Sequence, residues 1–468
     1  MNLMNFIKIY ILLILTIVTA GCSDDFLDIP PETLISGENF WRTEKDAVSA
    51  VTGCYDILQP DSYFGFDRFV LGDVRSDNCF AGGDNADNFA IDNFTIRPTN
   101  GVITRHFKQV YRGIARVNTA ITRIGLMEAS LFSDGRKEAL LGEVHFLRAL
   151  HYFDLVRLFG AVPLVLEETT VIDPEVNAVP RNPEEQIYNQ IIEDLNTAIL
   201  NLEEVYESAN EVPVGRVSAG AARGLLAKVH LTLKQYDQVI QVSQPLLTAG
   251  YRLLSDFESL FNQENKNNPE VLFAVRYNGG EEGNVFPELV LPTPEAQFDF
   301  LKFNTPTPNS IEKFIGEDTR AATSFVNRNG NNYVFKWRNG TAFNSSDYNV
   351  VLRYADVLLM RAEALNLSGQ TGDAIELLNQ IRNRAGLADY NGGTDQSSVD
   401  GAIFEERRIE LMYEGQRWFD LKRRGYDFAQ TTINIAKPDV SFAEFEMLLP
   451  LPQEELDKNP LLTQNPGY

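Results

Sequence analysis

Aromatic rings set among carboxylates, amides and guanidinium groups are the residues of this chain with the clearest chemical potential. A flat ring stacks on the apolar C–H face of a pyranose or furanose, and neighbouring Asp, Asn and Arg bond its hydroxyls. Two groupings have that composition: Trp337 with Arg338, and Phe80 with Asp77 and Asn78, with Asp84 a few residues further on. Trp337 is the leading candidate, because an indole offers the largest stacking surface. The competing reading for each ring is that it packs the scaffold. Asp77, Asp84, Asp87 and Asp92 also form an acidic loop whose oxygens suit Ca²⁺. The twelfth position counted from Asp84 is Thr95, however, where a calcium loop requires Glu. Solvated loop acids are the preferred reading, and no metal is assigned.

Other chemistries find little support. There is no His-Glu-x-x-His, no phosphate-cradling Gly-x-x-x-x-Gly-Lys and no Gly-x-Ser-x-Gly elbow. Of four histidines, His145, His151 and His230 fall inside helical patterns, where packing and hydrogen bonding account for them. A glycosidase needs only two of the 65 acids, and nothing singles out a pair. The chain reads as a binding protein without cofactor rather than an enzyme. A net charge of −24 argues against nucleic acid, because a binder must neutralise phosphates with clustered Lys and Arg. It also disfavours long-range attraction of anionic polymers, unless a local basic pocket overrides it.

Both candidate groupings sit in stretches without sustained periodicity, residues 59–100 and 253–349. The first is rich in Gly, Asp, Asn and Phe. The second carries Gly279-Gly280, several prolines and the aromatics Tyr277, Phe286, Phe298, Phe300, Tyr333, Phe335 and Trp337. Its Tyr333–Trp337 alternation predicts a short strand. Helices surround these stretches. Thr43 before Glu44-Lys45-Asp46 predicts an N-cap and a helix to Leu58. Apolar spacing predicts helices around 107–124 and 141–158, and Asn182-Pro183-Glu184-Glu185 starts another that runs to about Val205. Two paired patterns follow, 222–233 with 236–248 about Lys234-Gln235, and 352–362 with 374–381 about Gly369–Gly372. Short turns and small residues at the crossings are how tetratricopeptide-type hairpins stack. The predicted fold is mainly all-α, a tetratricopeptide-like scaffold with large irregular loop lobes and a few short strands. The two aperiodic stretches are expected to be neighbours on one face of it.

The N-terminus predicts export. Lys8 precedes an apolar run, Ile9 to Val18, too short for a span of about 20 residues and arranged like a secretory signal. Thr19-Ala20-Gly21-Cys22 resembles a bacterial lipobox, with Thr19 where Leu is usual. On that reading residues 1–21 are removed, Cys22 is acylated and anchors the chain to a membrane, and 22–43 form a tether. Ser23-Asp24-Asp25 resembles the acidic tag of surface-displayed lipoproteins, and equally an ordinary solvated linker. Cys54 and Cys79 are expected to be free and buried rather than a disulfide framework.

The C-terminal third carries a recognisable signature. Glu405-Glu406-Arg407-Arg408-Ile409-Glu410-Leu411, then Glu414-Gly415-Gln416-Arg417-Trp418-Phe419-Asp420-Leu421-Lys422-Arg423-Arg424-Gly425, resembles that of the SusD/RagB family. The closing Leu449-Pro450-Leu451-Pro452-Gln453-Glu454-Glu455-Leu456, Asn459-Pro460 and Gln464-Asn465-Pro466-Gly467-Tyr468 match as well. So do Phe26-Leu27, Pro30-Pro31 and the Ala362-Glu363-Ala364 helix. The resemblance implies one SusD-like domain over 44–468, with its signature region in 350–468. It further implies a surface-exposed, lipid-anchored outer-membrane protein that binds oligosaccharide and closes as a lid on a SusC-like TonB-dependent transporter. A structural or adhesive surface scaffold, or a peptide-binding member, stays open as the alternative. The signature's charges alternate in sign on helices and read as hairpin-orienting pairs, not as catalytic groups.

Overall fold

The computed structural model describes residues 40–171, 173, 177–205, 215–298 and 300–468. Helix ends follow local chemistry. Thr43 accepts from the Asp46 N–H while the Asp46 carboxylate accepts from the Thr43 N–H at 2.8 Å, which starts α1 (Glu44–Asp56). Asn100 caps α2 (Gly101–Leu126) through the N–H groups of Val102 and Ile103. Then come α3 (Arg136–Phe159) and α4 (Glu184–Asn201), the latter entered through Pro183. Next, α5 (Ala219–Thr232) and α6 (Tyr236–Ser243) form a hairpin whose turn holds Lys234 at a φ of 58°. The C-terminal part holds α7 (Tyr354–Leu367), α8 (Thr371–Arg384), α9 (Gln396–Glu410), α10 (Arg417–Arg424) and α11 (Tyr426–Ala436).

Each helix packs on its predecessor: α2 with α3, α3 with α4, α4 with α5 and α5 with α6. α7 packs directly on α6, and α8 and α9 pack on α7. The long stretch between α6 and α7 therefore leaves the array and returns to the same place. α7 is buried continuously from Tyr354 to Asn366, because it has neighbours on every side. Histidines in the helices are engaged in packing: His106 lies 2.9 Å from Asp154, His145 2.7 Å from Asp194, and His151 3.2 Å from the Tyr63 hydroxyl. Cys54 and Cys79 are both free and buried, and burial pushes the Cys54 thiol up to about 12.

Short strands β1 (Cys79–Phe80), β2 (Val271–Val275), β3 (Thr305–Pro306), β4 (Phe325–Arg328), β5 (Asn331–Val334) and β6 (Asn349–Arg353) pair two by two. The antiparallel β2–β6 pair closes the neck of the insertion, with Val275 opposite Asn349. Leu352 lies on this strand, not on the following helix as its spacing suggested. The strand expected at Tyr333–Trp337 is centred earlier, where Asn331–Val334 forms a hairpin with Phe325–Arg328. Residues 59–100, expected as loops, contain single helical turns and a short helix, Ala86–Asp92, capped by Asn85. Elements of one or two turns are too short to display a period.

Buried charge holds the insertions to the scaffold. Glu410 pairs with Arg320 at 3.0 Å and with Arg353 and Arg384. Arg353 also meets Glu414 at 2.9 Å and Glu270 at 3.1 Å, and Lys336 reaches Glu414. Arg407 bridges Asp420 at 2.9 Å to Asp356, which in turn meets Lys228 at 2.7 Å. Burial alone would raise these carboxyls, but the guanidinium groups of Arg384, Arg353 and Arg320 hold Glu410 well below its ordinary range. The signature charges therefore join distant elements rather than neighbours on one helix. At the turn between α9 and α10, the Gly415 N–H donates to Asp73 at 2.6 Å. A Cβ at Gly72 would stand 2.1 Å from the Gly415 carbonyl oxygen, so two backbones meet where a side chain has no room.

Candidate ligand-binding surface

The expected stacking residue is a core residue. Trp337 is 4% exposed and meets Phe286 and Phe69 edge-on, with ring centroids 4.6 and 5.3 Å away. Its indole N–H donates to Asn349 at 2.9 Å. An insertion this long needs its own hydrophobic centre, and the largest ring fills it. Trp337 is thus corrected from a platform to an anchor. Arg338 is committed as well: its N–H donates to Asp347 at 3.0 Å, and its guanidinium lies over Phe335 and 3.6 Å from Glu258.

Asp77 and Asn78 are corrected in the same sense. Asp77 is fully buried, 2.8 Å from Arg417 and 2.9 Å from Arg408. Burial would raise its carboxyl, but these two cations outweigh it and hold Asp77 below the usual range. The Asn78 carbonyl oxygen accepts from Arg408 at 2.9 Å. Neither is available to a sugar hydroxyl, since α9 and α10 use both to hold the 59–100 stretch. Phe80 is 38% exposed. Asp84 is exposed too, with no hydrogen bond or ion pair among the described residues. No group of three or more His, Cys, Asp or Glu that could hold a metal occurs among the described residues. Cys22, residues 1–21 and most of the 22–43 tether lie outside the described residues.

A different aromatic group faces solvent. Phe300 is 61% and Phe343 38% exposed. The half-buried Phe298 joins them: its ring centroid is 5.9 Å from Phe343 in a near-parallel arrangement, 28° between planes, and 6.0 Å from Phe300. Two loops distant in sequence are brought together by one buried carboxylate. Glu288 accepts from the N–H groups of Gln297 at 2.6 Å, Phe298 at 2.9 Å and Ala342 at 3.1 Å. Gly340 makes the approach possible, since a Cβ there would stand 2.5 Å from Glu288 and 2.8 Å from the Glu295 carbonyl oxygen. Thr341, Ala342 and Phe343 all have positive φ, 46°, 52° and 66°, a strained run held by this network.

Phe80 reaches the same region. On β1 it stands opposite Thr305 of β3. Gly83, at a φ of 67°, packs against the Phe303 ring and the Leu301 carbonyl oxygen, immediately after Phe300 in the chain. Asp84 follows directly. The two aperiodic stretches thus meet, and the exposed groups are Phe80, Asp84, Phe300 and Phe343, with the half-buried Phe298 among them and an Arg328–Glu295 ion pair of 3.2 Å beside them. Such a surface offers flat apolar faces next to hydroxyl-bonding groups. Sequence reasoning noted Phe298 and Phe300 but missed Phe343. The available signal was Gly340 three residues earlier.

Comparison with known proteins places these features. A family model described as the SusD family matches residues 315–468, and one described as "Starch-binding associating with outer membrane" matches 25–231. SusD-like protein P2 of Formosa agariphila is 28% identical, over 98% of this chain and 99% of its own length. A SusD superfamily protein of Bacteroides vulgatus superposes with a TM-score of 0.81 at 25% identity, covering 92% of this chain and 100% of its own. A laminarin-binding SusD-like protein gives 0.78 at 27% identity, covering 91% and 100%. With both family models matched and the Formosa protein aligned over nearly its whole length, the chain is similar to the SusD/RagB family from its N-terminal part to its last residue.

Proposed function

We propose that this chain is a surface-exposed lipoprotein that binds glycan fragments and delivers them to a SusC-like TonB-dependent outer-membrane transporter. The observation that carries the reading is the stack of the exposed Phe343 on the half-buried Phe298, fixed by Glu288 on the lobe where Phe80 and Asp84 also emerge. Exposed large aromatics are costly unless they meet a partner, and a stacked pair beside charged groups has the composition of a sugar-binding surface. The family's starch-binding description and the laminarin-binding relative support the same ligand class. On this reading the chain binds and does not hydrolyse. Residues 1–21 are its signal, acylated Cys22 its anchor, 22–43 its tether and 44–468 one domain.

The test is retention of the purified protein in gels containing plant, algal and microbial polysaccharides, laminarin among them. At least one should retard it, without release of reducing ends. Migration unchanged by every polysaccharide would refute glycan capture. Replacing Cys22 with Ala should release the protein from membrane pellets, and co-purification of a large barrel partner checks delivery.

A further inference from the structure

A cavity that shares no residue with that surface lies where the chain's final segment folds against α10 and α11. Its volume is about 390 Å³, within the range of small-ligand pockets. Lys422 and Tyr426 form one wall, and Phe445, Met447, Leu448 and Asn465 form the other. Most of this lining is aromatic or aliphatic, which suits the C–H face of a sugar ring.

Its charge is unusual for this protein. Lys422 donates to the Arg157 carbonyl oxygen and has no carboxylate partner among the described residues. An ammonium has three donors, so two are left without a protein acceptor. Beside it, the fully buried Arg75 stacks over Trp418 at 4.2 Å and donates through Nη2 to the carbonyl oxygens of Glu446 and Leu448. Its Nε and Nη1 have no acceptor, and no carboxylate pairs with it among the described residues. Arg157 adds a further positive charge, partly met by Asp154 at 3.5 Å. Glu184 gives partial compensation, and exposed Glu444 stands in the cavity lining. Burial, reinforced by repulsion from Arg75, pushes Lys422 down to about 7. Buried cations without anions are unfavourable, and an incoming anion relieves that.

We propose that this cavity is a second ligand site, which takes the carboxylated residue of an acidic saccharide. The carboxylate sits on Lys422, and the sugar ring lies against Phe445 and Tyr426. A protein of net charge −24 repels anions at long range, so selectivity for an acidic sugar must come from such a local cation. None of the residues of the Phe298–Phe343 surface is involved, and either site can fail without the other.

The test is calorimetric titration with sodium glucuronate, glucose and sodium acetate at about pH 6, where a lysine titrating at about 7 is charged. Glucuronate should bind saturably and at least about tenfold more tightly than glucose or acetate. Lys422→Gln should abolish the preference over glucose. Phe445→Ala, at an exposed ring, should weaken glucuronate about threefold or more with the helical circular dichroism unchanged. Phe343→Ala should leave glucuronate binding as it is. Absence of saturable glucuronate binding overturns the proposal. So does acetate binding as tightly, which would mark a bare anion site. Undiminished glucuronate affinity in both Lys422→Gln and Phe445→Ala overturns it as well.

Discussion

The charge block beneath α9 and α10 and the aromatic surface of the inserted lobe are built in opposite ways. In the block, Arg353 meets Glu270, Glu410 and Glu414, Arg384 meets Glu270 and Glu410, and Arg407 meets Asp356 and Asp420, carboxylates drawn from different elements. On the surface, phenylalanine rings stand in water and are positioned by backbone N–H groups gathered on Glu288. One region fixes where the lobe sits, the other what the lobe presents. Side chains can change on the surface while its backbone frame persists, whereas any single change in the block uncovers buried charge.

The largest effect should come from breaking the block. Arg353→Met leaves three buried carboxylates short of a partner and should destabilise by about 3–5 kcal/mol, read as a lower urea midpoint. Unchanged stability would mean that the block does not hold the frame. Trp337→Ala tests the border between the regions. Removing a ring in the lobe's core should lower stability by about 3 kcal/mol or more. If Trp337→Ala instead weakens a ligand while the midpoint stays put, Trp337 belongs to the surface after all.

Phe343→Ala should do the reverse. Stability should stay within about 0.5 kcal/mol. Affinity for the best-retained polysaccharide should fall by about 2 kcal/mol, roughly thirtyfold. Equal affinity would remove Phe343 from the site and leave Phe300 and Phe80 to be tested. The smallest effect belongs to Asp84→Asn, which should leave the midpoint unchanged and weaken binding by about threefold, the scale of one hydroxyl hydrogen bond.

How much the sequence reveals follows the same division. Helices with caps and turns were legible because the chemistry is local: Thr43 and Asp46 are three residues apart, and the Lys234 turn sits between two periodic runs. The signature was legible as a pattern, although which charges it pairs was not. Asp77 reads as a loop acid beside an aromatic, and its partner Arg417 lies 340 residues later. Trp337 was misread for the same reason. Nothing near an irregular segment states whether its ring faces Phe69 or water. The Phe298–Phe343 stack depends on a carboxylate ten residues before the first ring and on a glycine beside the second, a relation that no periodicity carries.

Glu288 has a kinetic consequence. Because it fixes both loops before any ligand arrives, a molecule that stacks on Phe298 and Phe343 meets a surface already in its bound shape. Little loop ordering then opposes capture, and arrival is governed by diffusion and orientation rather than by a folding step. Related ligands should arrive at similar speeds and differ in residence time.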